Sequence, residues 1–140
     1  MVVAFTCNHC PVAVAYEDRF IKFAKEYEDK GVVFVAINVN NMEDDKLPAM
    51  IERAKEKDFP FAYLHDDSQE IGKAFGAAKT PHLFVLDGDR KVAFIGAFDD
   101  KMDAKGVKKH YVEDAVDAVL AGTEVAVTKT PAHGCGIRYE

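Results

Sequence analysis

Val2-Val3-Ala4-Phe5-Thr6-Cys7-Asn8-His9-Cys10-Pro11 reads as a short buried strand, a turn carrying two thiols, and the first turn of a helix. Val2 to Phe5 is an unbroken apolar run, the pattern of a strand covered on both faces. Pro11 suits a helical first turn, where its missing N–H costs nothing, and it stops the strand from continuing. Both thiols therefore fall where a helix start exposes free N–H groups and the positive end of its dipole. A thiolate there is stabilised, so the expectation is a thiol with a lowered pKa that is nucleophilic near neutral pH. By spacing alone, Cys7 and Cys10 can be a dithiol/disulfide pair, two buried structural thiols, or half of a zinc site.

The rest of the 140 residues narrows the class. One domain spanning residues 1–140 is expected, with a core over 1–122 and a tail, 123–140, packed on it. A net charge of −6 argues against a nucleic-acid surface, which wants a basic face. No apolar run approaches the roughly 20 residues needed to span a bilayer, so no membrane role is expected. No signal peptide is visible, which gives a cytoplasmic protein as the expectation. The chain nevertheless opens almost directly on a core strand, which leaves room for a leader or an N-terminal segment ahead of it. Three cysteines, two of them at C-x-x-C spacing, point to redox or metal chemistry rather than to a framework of disulfide staples.

Downstream, Val12, Tyr16, Phe20, Phe23 and Tyr27 recur every three to four residues, predicting an amphipathic helix that ends at Gly31. Val32 to Ile37 predicts a central parallel strand. Asp44 to Lys57 predicts a helix with Pro48 in its first turn. Phe59 to Leu64 predicts an extended piece. A short helix capped by Asp67 or Ser68 closes at Gly76. Leu83 to Leu86 and Val92 to Ile95 flank Asp87-Gly88-Asp89-Arg90, a hairpin signal. A last helix runs from about Lys108 to Leu120, followed by an irregular tail. His65, His82 and His110 show no partner pattern, and the aromatic stripe is core packing.

This order, with the C-x-x-C at the first strand–helix junction and Thr80-Pro81 directly before a strand, resembles the thioredoxin superfamily. The motif region Phe5-Thr6-Cys7-Asn8-His9-Cys10-Pro11 is most similar to thioredoxin-like proteins of the AhpC/TSA and TlpA type. The resemblance implies an α/β, thioredoxin-like fold, with a central mixed sheet flanked by helices on both faces. It also implies that Thr80 and Pro81 form a cis-proline loop, whose backbone can pair with an extended substrate like an added strand. Two features depart from the pattern. Such proteins carry an edge strand before the motif strand, and thioredoxins place a buried acid about six residues before the first cysteine, where Met1 stands here. The general base is then water, His9 or a neighbouring carboxylate.

The expected function is thiol–disulfide exchange with protein disulfides or dithiols, alongside a redox partner and with no bound cofactor. Cys7 would attack and Cys10 would resolve the mixed disulfide. His9 would stabilise the Cys7 thiolate and make the pair more oxidising than one holding Gly-Pro between its cysteines. Cys135, in His133-Gly134-Cys135-Gly136, reads first as a buried free thiol pinning the tail. The alternative function is a metal-binding or metallochaperone module using Cys7, Cys10 and Cys135 or His133. A thiol peroxidase ranks lower, because Ala4 stands where such sites place Thr or Ser, three residues before the cysteine.

Overall fold

Every residue of Val2–Phe5 is buried, and the strand they form (β1) is the middle of a five-stranded sheet. The computed structural model describes residues 1–140. After β1 come α1 (Pro11–Glu28), β2 (Phe34–Asn38), a 3-10 turn (Glu43–Asp45), α2 (Leu47–Lys57) and β3 (Ala62–His65). Then follow α3 (Glu70–Phe75), β4 (Lys79–Thr80), β5 (His82–Leu86), β6 (Val92–Gly96), a second 3-10 turn (Ala104–Gly106), α4 (Tyr111–Ala121) and β7 (Cys135–Gly136). The sheet order is β3-β2-β1-β5-β6, with β1–β2 and β2–β3 parallel and β1–β5 and β5–β6 antiparallel. This is the mixed sheet of a thioredoxin-like fold.

Alternation along β1 assigns the two faces. Val2 and Ala4 join Tyr16, Phe20 and Phe23 of α1 and Val112, Ala115 and Val116 of α4 in one large cluster. Val3 and Phe5 turn the other way, onto Phe84, Ala77 and the Phe75 ring of α3. Helices therefore cover both faces. Helix α2 is tied beside α1 through Arg53, whose Nε donates to the buried Glu17 carboxylate at 3.1 Å.

Strand β3 covers Ala62–His65 rather than Phe59 to Leu64 and α4 starts at Tyr111 rather than Lys108, and three further elements differ from their predicted bounds for local reasons. Strand β2 starts at Phe34 rather than Val32, because the Val32 N–H returns to Tyr27 O (3.2 Å) and closes the end of α1. The predicted helix from Asp44 splits: Lys46 is extended (ψ 162°), so Asp44 and Asp45 belong to a separate 3-10 turn. Helix α3 begins at Glu70 with Gln69 as its N-cap. There Ser68 Oγ accepts from the Glu70 N–H and Asp66 Oδ2 from the Ile71 N–H.

The tail is more ordered than its composition suggests. Thr130 N–H donates to Ile95 O and its Oγ1 accepts from the Ala97 N–H, extending the β6 edge. Strand β7 pairs antiparallel with β4, Cys135 opposite Thr80. Beyond it, Arg138 N–H donates to Asn40 Oδ1, the Gln69 amide donates to Arg138 O, and Tyr139 OH donates to Ala77 O.

Candidate active site

The C-terminal end of β1, the start of α1 and the Thr80-Pro81 loop meet at one point. Thr6 N–H donates to Ile37 O, which continues the β1–β2 ladder up to the cysteine. Cys10 is the N-cap residue of α1, with Pro11 beginning the helix. The Thr80–Pro81 peptide bond is cis. Cys7 Sγ lies 3.2 Å from Thr80 Oγ1, and Cys10 Sγ lies 3.5 Å from Thr80 O. Cys7 and Cys10 pack in one small cluster with Ala13, and Cys135 lies against it.

The sulfur pairing corrects two expectations. Cys10 is bonded to Cys135, Cα to Cα 6.0 Å across 125 residues of sequence, and Cys7 is the free thiol. The Cys7–Cys10 bond expected from the motif is thus not the one present, and Cys135 is not a free thiol. Spacing could not reveal this, because the tail reaches the motif only once β7 pairs with β4. The reactivity expected of Cys7 is also altered in this state. Cys7 is only 1% exposed, and burial pushes its thiol above its ordinary pKa. Thr80 Oγ1 and the Cys10 and His9 N–H groups pull the other way, while the nearby Asp45 charge pushes it up. Desolvation disfavours the thiolate more than the helix start favours it.

Asp45 is the site residue the sequence reading missed. It is fully buried, and its carboxylate gathers the motif turn. Oδ1 accepts from the Asn8 N–H (2.7 Å), the His9 N–H (3.3 Å) and Asn38 Nδ2 (3.2 Å), while Oδ2 pairs with His9 Nδ1. It is a carboxylate neighbouring the motif, bonded to the turn between the cysteines and to neither sulfur. It reaches the site because the break at Lys46 frees it from α2. The signal in the sequence was an acidic run just ahead of Pro48. His9, expected to act on Cys7 through its imidazole, instead commits Nδ1 to Asp45. Tyr63 of β3 completes the turn by donating its hydroxyl to Asn8 Oδ1 at 2.8 Å. Burial holds that phenol neutral, its pKa raised.

The metal alternative loses ligands here. Cys10 and Cys135 are consumed by their disulfide, and His133 is exposed. Cys7, His9 and Asp45 do hold donor atoms within 4.8 Å of one another, but the Asp45 oxygens already serve four donors in the protein.

This fold and this strand–helix junction define a thioredoxin-like redox protein. The chain belongs to the Redoxin family, which residues 1–115 match. It is similar to an uncharacterized conserved protein from Geobacillus kaustophilus, at 37% identity and a TM-score of 0.92, covering 99% of this chain and 76% of that one. A hypothetical protein from Sinorhizobium meliloti 1021 is also 37% identical, with a TM-score of 0.91, covering 99% of this chain and 79% of that one. A thiol:disulfide interchange protein of the thioredoxin family from Chlorobium tepidum TLS shares the fold at 19% identity, with a TM-score of 0.65 over 85% of this chain and 78% of that one. No curated protein matches the chain. Fold and family together support thiol–disulfide oxidoreductase chemistry in the general sense.

Proposed function

We propose that the protein exchanges disulfides with extended protein segments, Cys7 being the entering thiolate and Cys10 the thiol that resolves the mixed disulfide. The observation carrying this reading is the placement of both sulfurs against Thr80, directly before cis-Pro81. An extended substrate lying along the Thr80 backbone would bring its own sulfur to the end of β1, where Cys7 sits. Proline at 81 has no N–H, so its own backbone offers no donor that would compete for the sulfurs. Cys7 attacks one substrate sulfur and expels the other as a thiolate. Cys10 then attacks Cys7 Sγ, forming Cys7–Cys10 and releasing the second substrate thiolate. His9 and Asp45 act as positioning residues that hold the Cys7–Cys10 turn in shape. The cellular substrates would be protein disulfides or dithiols, with a redox partner completing the cycle.

The test is trapping. The Cys10→Ser variant, given insulin as a model disulfide protein, should accumulate a mixed disulfide at Cys7, read by mass spectrometry under non-reducing conditions. The Cys7→Ser variant should trap none. If insulin is captured by neither variant and is not reduced by the wild-type protein, the reading fails.

A further inference from the structure

The residues that the exchange reaction leaves unexplained are in the tail. Strand β7 lies antiparallel to β4 with Cys135 opposite Thr80 and Gly136 opposite Lys79, and Ile137 N–H donates to Ala78 O at 2.9 Å. An extended segment carrying a cysteine, paired to the strand before the cis proline and bonded to a motif sulfur, is what an engaged substrate would look like at this edge. Here that segment belongs to the chain itself. The fit is close: a Cβ added to Gly134 would fall 1.9 Å from Thr80 O and 2.6 Å from Thr80 C. Glycine at 134 is what lets the tail lie against the loop.

The tail is fastened on both sides of this stretch. Before it, Thr130 is held by Ile95 and Ala97. After it, Arg138, Tyr139 and Glu140 are held by Asn40, Ala77 and Gln69. Between these anchors, Pro131 to Gly136 touch the domain through β4 and the disulfide. The strap can therefore leave the site without the tail coming away.

We propose that Cys135 is a third redox cysteine, which takes the disulfide over from Cys7–Cys10 and, by doing so, seats the strap in the position an extended substrate occupies. This rests on the exchange chemistry proposed above. Once Cys7–Cys10 has formed, the Cys135 thiolate attacks Cys10 Sγ. The Cys10–Cys135 bond forms, the Cys7–Cys10 bond breaks, and Cys7 leaves as a thiolate. No electrons enter or leave in this step, since one disulfide replaces another. The proton lost by Cys135 goes to solvent, and Cys7 takes one up in a pocket where burial favours the neutral thiol. The product is the state observed: Cys7 free and covered, Cys10 bonded to Cys135. Of the two bonded sulfurs' residues, Cys10 is fully buried and Cys135 is half-buried. A dithiol donor resets the enzyme by attacking Cys135 Sγ, then resolving its own mixed disulfide to leave Cys10 and Cys135 as thiols.

The experiment follows the bonds in time. The reduced wild-type chain is mixed with insulin, quenched with acid and alkylating agent, and its linked peptides are mapped by mass spectrometry. Cys7–Cys10 should appear first and pass into Cys10–Cys135, which should exceed it by about tenfold at the end. In Cys135→Ser, Cys7–Cys10 should persist. Gly134→Ala keeps all three sulfurs but removes the seat, and should slow the transfer by about tenfold. Insulin reduced while Cys135 stays a thiol throughout, or transfer slower than turnover, would overturn the third-cysteine role and leave the exchange reading standing. Failure of the protein to reduce or capture insulin would overturn both.

Discussion

Asp45 shows how a buried carboxylate can add to the effect of burial on a thiol it does not touch directly. Its oxygens meet four hydrogen-bonding partners, as a buried polar group requires. Its charge in turn raises the pKa of Cys7. Asp45→Asn keeps an acceptor for the Asn8 N–H and removes the charge. The Cys7 thiol pKa should then fall, because the thiolate no longer faces a like charge. The sign is explicit: in the wild-type chain the raised value keeps Cys7 neutral up to higher pH, and the variant should become reactive at lower pH. The pH dependence of Cys7 alkylation reads this, and an unchanged or raised midpoint would refute it. Lost hydrogen bonding should also lower stability, by about 1–3 kcal/mol. At this scale most of the candidate site was legible in the sequence. Cys7, Cys10, His9, Thr80 and Pro81 announce themselves through spacing and turn chemistry. Asp45 and Cys135 do not, because their distance from the motif is set by where a 3-10 turn and a tail come to lie.

At the scale of elements, the chain was most legible where local chemistry and tertiary packing agree. The β1–α1 junction is one such place, with an apolar run ending at a turn and a proline starting the helix. The β5–β6 hairpin is another, although the left-handed residue of its turn is Arg90 (φ 62°) rather than Gly88. Asp87 supplies the turn instead, its Oδ1 accepting from the Asp89 and Lys91 N–H groups. Boundaries slipped where the backbone breaks without a sequence mark, as at the extended Lys46, or where the capping acceptors lie before the cap residue, as at Gln69. Two-residue strands such as β4 and β7 leave no periodicity to read; they exist through each other and the disulfide. Helix α2 offers a direct test of local strain. It ends on Asp58 in the left-handed region (φ 50°), a position where glycine is favoured. Asp58→Gly should therefore raise stability by about 0.5–1 kcal/mol in urea denaturation. A loss of stability would mean that the Asp58 side chain contributes more than its backbone costs.

Across the whole molecule, the Cys10–Cys135 bond joins the first helix to the last strand, 125 residues apart. Closing a loop of that length removes much of the freedom of the unfolded chain, worth about 4–5 kcal/mol in the chain-entropy description. Urea denaturation of the oxidised and reduced wild-type chain should differ by about that amount, with Cys7→Ser showing the same difference. A reduced protein as stable as the oxidised one would show that the tail's hydrogen bonds, and not the bond between sulfurs, hold it down. The large core on the α1/α4 face does not depend on this link. The reduced chain should accordingly keep its fold while residues 131–136 loosen between their anchors.

The length of that loop also orders events during synthesis. Cys7 and Cys10 leave the ribosome well over a hundred residues before Cys135 does. Of these three cysteines, only the two motif sulfurs can pair with each other at that stage. The observed pairing becomes available only when residue 135 has been made and the tail has folded back across β4. A chain that carries it has therefore been translated through Cys135 and has folded its tail back across β4, so the bond records that the two distant stretches have met.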